Sequence, residues 1–278
     1  MVKRSTRLSA ALSDSRMAAI NESVPANVRG PTRLLGLLAC HNEMRFLPGY
    51  FANVSAQLDG VIALDDGSTD GSDEFIAAQS STLELIRLPA RQPHRWDEPG
   101  NRRLLIDAAG RHGADWVLAL DADERIERQF RSRAETVIRE GEAAGVMAFA
   151  IWFRELWDAP DRYRADGIWG RKAQARLFQM RPDPVLDTRE FHGHWAPTNS
   201  ATPQGFLQAD LTLYHLRMIH AADRRARQAR NQALDPDRRW QAIGYDYLTD
   251  ETGLQVSELP EGRGYEPVES IAAVVAGS

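Results

Sequence analysis

The chain has 278 residues, 43% hydrophobic and 26% charged, with a formal net charge of −5. That length and composition describe a globular protein of one large or two small domains, and the acidic balance excludes a general nucleic-acid binder. Cys40 is the only cysteine, so no internal disulfide forms and a reducing, cytoplasmic setting is expected.

Residues 1–31 are polar and weakly periodic and read as an extension, with one short helix at 7–20. Lys3, Arg4 and Arg7 precede no apolar core of signal-peptide length. Residues 34–40 form an apolar, uncharged run that suits a strand covered on both faces. A polar break at His41-Asn42-Glu43 follows, and Phe46, Leu47, Tyr50, Phe51, Val54 and Leu58 then share a helical face. The pattern repeats. Strands are expected at 61–64, 83–88 and 116–120, with helices at 73–79, 101–109 and 129–140. A further strand is expected at 146–153, within the longest near-apolar region, 143–153. That region is too short for the ~20 residues of a membrane-spanning helix.

Alternating strands and helices imply a parallel sheet built from right-handed crossovers. Ligands of such sheets sit beyond the carboxyl ends of the strands. Three polar clusters occupy those ends: His41 to Glu43, Asp65-Asp66 and Asp121 to Glu124. Beyond residue 153 the pattern loosens into short β-like pieces at 173–180 and 210–215, with Trp152, Trp157, Trp169 and Trp195 close together in the chain. A basic helix at 221–234 follows, and a loose tail is expected after about 255.

Asp121-Ala122-Asp123 places two carboxylates at a strand end, where they can bracket Mg²⁺ or Mn²⁺ together with phosphate oxygens. The same residues also suit a solvated first helical turn. Asp65 to Gly71 reads either as a capped turn or as a site where Asp66 accepts a hydrogen bond from a nucleobase or ribose. Neither glycine-rich phosphate-binding signature is present.

In this order and spacing, Cys40-His41-Asn42-Glu43, Asp65 to Gly71, Asn101-Arg102 and Asp121-Ala122-Asp123 resemble a family 2 glycosyltransferase, and Ala175 to Gln179 resembles a strand of its bacterial surface-polysaccharide members. The resemblance implies an α/β, GT-A-like, mostly parallel sheet flanked by helices, in a single domain with a small C-terminal helical extension. The expected divisions are a nucleotide-sugar half at 32–154, an acceptor half at 155–220 and the extension at 221–278. The implied reaction is inverting sugar transfer, with Mn²⁺ or Mg²⁺, from a nucleotide-diphospho-sugar (a UDP-sugar by default) to a saccharide, lipid-linked or small-molecule acceptor. By the resemblance, Asn42, Glu43 and Asp66 face the nucleotide and Arg102 the diphosphate. Asp121 and Asp123 form the ribose and metal site, and His215 completes the metal's ligands.

Relatives carry His-Glu in a later loop, where this chain reads Phe191-His192-Gly193-His194-Trp195. Trp195 stands at the glutamate's place, so Glu190, then Asp187, become the expected base, with Asp166 behind them. Trp169, His194 and Trp195 are the expected acceptor contacts, by aromatic stacking on sugar faces; core packing is their alternative. The basic helix reads as a solvated face or a peripheral contact with the inner membrane surface. Arg125 stands where haloacid-dehalogenase-type phosphatases carry Thr or Val, which sets that class aside. A catalytically silent nucleotide- or carbohydrate-binding protein on the same fold is the competing reading.

Overall fold

The computed structural model describes residues 32–267, so the extension at 1–31 and its expected helix lie outside the described residues. In chain order the elements are β1 (Leu34–Cys40), α1 (Leu47–Val54), β2 (Val61–Asp66), α2 (Ser72–Ala77), β3 (Thr82–Leu88), α3 (Glu98–Arg111) and β4 (Trp116–Ala119). Then come β5 (Glu124–Ile126), α4 (Phe130–Ala143), β6 (Ala148–Glu155), β7 (Arg162–Arg164), β8 (Ala173–Gln179), β9 (Leu207–His215), α5 (Ala221–Leu234) and β10 (Val256–Glu258).

Eight strands form one sheet in the order β3-β2-β1-β4-β8-β6-β9-β5, and β10 pairs with β7 apart from it. Four of the seven pairings in the large sheet are parallel, and those involving β8 and β5 are antiparallel. The sheet is α/β, GT-A-like and continuous through both expected halves, since β8 and β6 extend it beyond β4.

Every residue of β1 is buried, because its apolar side chains serve both faces of the sheet. Leu34, Leu38 and Cys40 pack in the core that α1 and α4 cover, while Leu35, Leu37 and Ala39 pack in the core that α3 covers. Each fully buried leucine contributes about 1.5–3 kcal/mol of transfer free energy. The chain runs outward from β1 through β2 to β3, then returns to β4 on the other side of β1. This reversal opens a crevice above the carboxyl ends of β1 and β4, and the polar clusters stand there.

The α3 helix starts at Glu98, ahead of the expected 101, because the Asp97 carboxylate caps the Gly100 N–H at 3.0 Å and Pro99 suits the first turn. The β5 strand was not expected, since Glu124-Arg125 reads as loop. Both side chains are buried and paired: Glu124 with Arg176, and Arg125 with the carbonyls of Ala122, Glu124 and Phe46. The expected loose tail is corrected through residue 267. The β10 strand pairs with β7, Tyr265 is fully buried, and Arg263 forms an ion pair with buried Glu127.

Candidate functional site

The loop after β1 and the loop after β2 are tied together by side chains chosen for short reach. The Asn42 N–H donates to Ser68 Oγ at 2.8 Å, and the Thr69 N–H donates to Asn42 Oδ1 at 2.8 Å. The Glu43 N–H donates to Ser72 Oγ and the Met44 N–H to Asp70, each at 3.0 Å. Gly67, at φ 72°, lets Ala90 approach; a Cβ there would lie 2.6 Å from the Ala90 Cα.

Asp66 is fully buried beneath His94 and Asn101. Its carboxylate accepts from Arg91 and His94 at 3.2 Å and from Asn101 at 3.4 Å. The His94 ring stacks on His41 with centroids 3.6 Å apart. Asp66 therefore braces a His41–His94 platform and does not itself line the adjoining cavity.

That cavity has a volume of about 880 Å³, and its wall includes Asn42, Glu43, Arg102, Asp121, Asp123 and His215. The fold thus brings together six of the expected donor-site and metal-site residues. Asp121 keeps an open face, with its side chain 45% exposed, and accepts from Arg176 at 3.1 Å. Asp123 is buried and holds Arg217 Nε as well as His215 Nε2, the latter at 3.2 Å. Burial opposes its ionisation, yet Arg217 and His215 prevail and hold the carboxyl well below the usual range. Arg217 also grips both oxygens of Glu43, at 2.5 and 2.6 Å. Burial nevertheless outweighs that partner and pushes Glu43 up to about 7.

Glu155, fully buried at the end of β6, engages His215 Nδ1 and Lys172. Burial lowers the basicity of His215, but Glu155 and Asp123 raise it to about 9. A carboxylate behind one imidazole nitrogen aims the other, here toward Asp123. Among the described residues no group of three or more His, Cys, Asp or Glu side chains is placed to hold a metal ion unaided. The donor chemistry still fits a hard divalent cation. Asp121, Asp123 and His215 supply oxygen and imidazole donors in one cavity, and such ions ordinarily complete their shells with phosphate oxygens and water.

Of the arginines lining the cavity, Arg102 (Nε) and Arg176 (Nη1) each carry a buried N–H without an acceptor. Arg102 is otherwise held by Glu98 and the Asp187 carbonyl, both at 2.7 Å, with Trp195 5.6 Å from its charge centre. Gly193 packs closely above it: a Cβ there would lie 2.7 Å from Arg102 Nη2, so the guanidinium would have to shift.

On the acceptor side the structure separates the expected residues. Trp195 and His194 line the cavity. Trp169 lies instead in a separate core with Trp157, Met218, Tyr245 and Leu248. Glu190 points outward, 73% exposed, with Arg95 3.9 Å away. Asp187 ties its own loop: it pairs with Arg189 at 2.5 Å and accepts the His194 N–H at 2.9 Å. Neither carboxylate lines the cavity. Asp166 pairs with Arg164 at 2.9 Å beside β7, likewise away from the cavity.

His192 does line it, in a left-handed backbone conformation with φ 58°. Its Nε2 lies 3.3 Å from the Tyr245 hydroxyl, which donates to buried Asp235 at 2.8 Å. Burial, then Arg227, lowers the basicity of His192. Sequence reasoning weighs this histidine as a metal, structural or acceptor-binding residue, not as a base. It missed Tyr245, Asp235, Glu155 and Arg217 altogether. Arg217, two residues beyond His215, carried the only local signal, since alternate residues of a strand end share a side.

The basic helix α5 is not one solvated face. Arg224 is buried over Trp157, 4.0 Å from the ring, whereas Arg227 and Arg230 face the cavity.

The family model described as glycosyl transferase family 2 matches residues 37–192. The chain belongs to glycosyl transferase family 2. An uncharacterized Mycobacterium tuberculosis protein, Rv3786c, is 26% identical over 240 residues, spanning 80% of this family 2 chain and 57% of the relative. The uncharacterized Mycobacterium bovis protein Mb3815c matches with the same figures. The chain thus spans little more than half the length of these relatives. Among solved structures, S. aureus TarS is similar with a TM-score of 0.46 and 11% identity, over 76% of this chain and 44% of that one. A solved structure from Desulfovibrio desulfuricans G20 matches with a TM-score of 0.37 and 10% identity, over 80% of this chain and 96% of that one. No helix among the described residues is long and apolar enough to cross a membrane.

Proposed function

We propose that this family 2 chain transfers a sugar, with inversion, from a nucleoside-diphospho-sugar to a hydroxyl acceptor, using a divalent cation. The observation that carries the reading is the meeting of the strand-end carboxylates with His215 and the guanidinium side chains of Arg102 and Arg176 in one cavity. Uridine remains the nucleotide of choice from the family resemblance. The cytoplasmic setting expected from the sequence is kept, and it accords with Cys40 as a buried free thiol.

Asp121, Asp123 and His215 would hold the cation, which as a Lewis acid offsets charge on the departing nucleoside diphosphate. Arg102 and Arg176, whose side chains line the cavity, would offset charge on the same leaving group. The acceptor oxygen bonds to the anomeric carbon as the carbon–oxygen bond to the diphosphate breaks, and the bonding pair leaves with the phosphate.

His192 is the base for the acceptor proton. Its Nε2–H donates to Tyr245, and Tyr245 donates to Asp235, which leaves Nδ1 as the basic nitrogen. Its lowered basicity keeps the ring neutral at pH 7, the form a base requires. A neutral histidine thereby replaces the loop glutamate that Trp195 displaced.

The competing reading, a silent binding protein, draws on one observation: neither Glu190 nor Asp187 reaches the cavity. Two measurements separate the readings. Thermal shifts with UDP, GDP, CDP and dTDP, each with Mn²⁺, Mg²⁺ or EDTA, are expected to show stabilisation by one nucleotide only with metal. Asp123→Ala is expected to abolish that shift, and its persistence refutes the metal assignment. Sugar release from the matching nucleotide sugar then marks an enzyme; binding without release marks a silent protein.

A further inference from the structure

Asp66 closes β2 with a fully buried carboxylate. Besides Asn101, the described side chains that reach its oxygens come from one segment between β3 and α3, residues 91–96. Arg91 meets Oδ1 and His94 Nε2 meets Oδ2, each at 3.2 Å. The His94 ring lies flat on His41, with centroids 3.6 Å apart and planes 9° from parallel. A ring against one face and a buried acceptor at one edge are what proteins use to hold an unstacked nucleobase. His94 is held in that way by its own chain.

The segment that carries it is fixed only by side chains. Residues 91–96 make no backbone hydrogen bond among the described residues, and Arg91, Gln92, Pro93 and Arg95 are exposed. Arg91 is 47% exposed, so water competes for its end of the pair with Asp66. Arg95 has Glu190 3.9 Å away, with both side chains in solvent. Trp96 anchors the far end of the segment, packed against the core that α3 covers. A segment with few apolar contacts and no ladder or helical bonds opens at low cost. Asp66 and Asn101 stay behind when it does, on β2 and α3.

His41, His94, Asn101 and Arg102 all line the cavity. A heterocycle stacked outside His94 meets a carboxylate whose two oxygens are already taken. A heterocycle in the place of His94 gains the face of His41 and offers its own ring N–H to Asp66, with Asn101 beside it. Arg102 follows Asn101 on α3, so a diphosphate extending from that ring has a guanidinium next along the helix.

We infer that His94 occupies the nucleobase seat of the donor site, and that residues 91–96 withdraw to admit a nucleobase with a ring N–H. Apparent donor affinity is then scaled by the fraction of molecules in which this segment is open.

The inference rests on the donor reading, and the test reads the two separately. Calorimetry measures UDP with Mg²⁺ on the full chain and on His94→Ala. The variant is expected to bind about tenfold more tightly, because the closed fraction no longer reduces the apparent affinity. Arg91→Ala, at an exposed position, is expected to shift affinity in the same direction and guards against a folding defect at His94. In the wild type, the His94 ring resonances, assigned by their absence from His94→Ala, carry the ring-current shift of the stack on His41. Saturating UDP–Mg²⁺ is expected to move them to the position of a solvent-exposed histidine. UDP that binds the wild type while His94→Ala binds it equally or more weakly overturns the inference, as do His94 resonances that stay stacked in the UDP complex. Binding to His94→Ala alone upholds it, as a seat closed in the wild type. If UDP, GDP, CDP and dTDP bind neither protein with any metal, the donor reading fails and the inference falls with it.

Discussion

Arg263→Ala tests whether the segment after residue 255 belongs to the folded core. Arg263 Nε and Nη2 donate to the two oxygens of Glu127, at 2.5 and 2.8 Å, and Glu127 is fully buried. Without Arg263, that carboxylate keeps the Thr212 N–H, at 3.1 Å, and loses its countercharge. Removing one partner of a buried ion pair typically costs ~3–5 kcal/mol. At the ~2–4 °C per kcal/mol usual for a domain of this size, melting should fall by about 6–20 °C. Asp210→Ala is the internal control. Arg263 also holds Asp210 at 2.7 Å, but that carboxylate is 72% exposed, and exposed pairs contribute about 0–1 kcal/mol.

The pH dependence has a definite sign. Burial already raises Glu127 above its ordinary value, against the pull of Arg263. Removing Arg263 raises it further, and a carboxyl with an elevated folded pKa destabilises only while ionised. The gap between wild type and Arg263→Ala should therefore narrow as pH falls from neutral toward the ordinary glutamate range. Chemical denaturation at both pH values measures it. A loss near that of Asp210→Ala, or a gap that widens on acidification, refutes a buried pair closing this end of the fold.

Four further outcomes follow from the site. Once a donor with turnover is found, His192→Gln should lower kcat by about 10²–10⁴-fold, the usual contribution of general base catalysis. Tyr245→Phe should move the acidic limb of the pH–rate profile, and an unmoved limb would remove His192 from the chemistry. Glu155→Gln should weaken Mn²⁺ binding in the presence of UDP by about 10–100-fold, as loss of a carboxylate behind a ligating histidine does; calorimetry reads this without turnover. Cys40 should resist thiol reagents in the native state and react on unfolding, because burial first and Asp65 second push its thiol far up.

Much of the donor half was legible because its physics is local. An uncharged apolar run such as residues 34–40 has few alternatives to a two-sided strand, and the polar clusters beyond such runs had to share an edge. The β5 strand was not legible. Glu124 and Arg125 become strand residues only because Arg176, more than fifty residues later, supplies a partner. Trp169 and Trp195 looked alike in sequence, yet one fills a core with Tyr245 and Leu248 while the other faces Arg102 in the cavity. Glu190 was preferred as base by proximity along the chain. The left-handed turn at His192 instead puts an imidazole into the cavity wall, and Glu190 is left outside.

On the proposed metal site, the ion pairs of the cavity couple cation binding to nucleotide binding. Asp123 reaches a cation only by giving up Arg217, and Arg217 also holds Glu43. A metal alone would therefore break a largely buried network and leave Arg217 with Glu43 as its one carboxylate partner. A nucleoside diphosphate offers anionic oxygens both to the cation and to that guanidinium, so the losses of one exchange are offset by the other. Each ligand should then tighten the other by the same factor, since coupling between sites is reciprocal. The stabilisation by Mn²⁺ and UDP together should exceed the sum of the stabilisations by each alone. Arg217→Ala should reduce that excess, because the cation no longer has a guanidinium to displace.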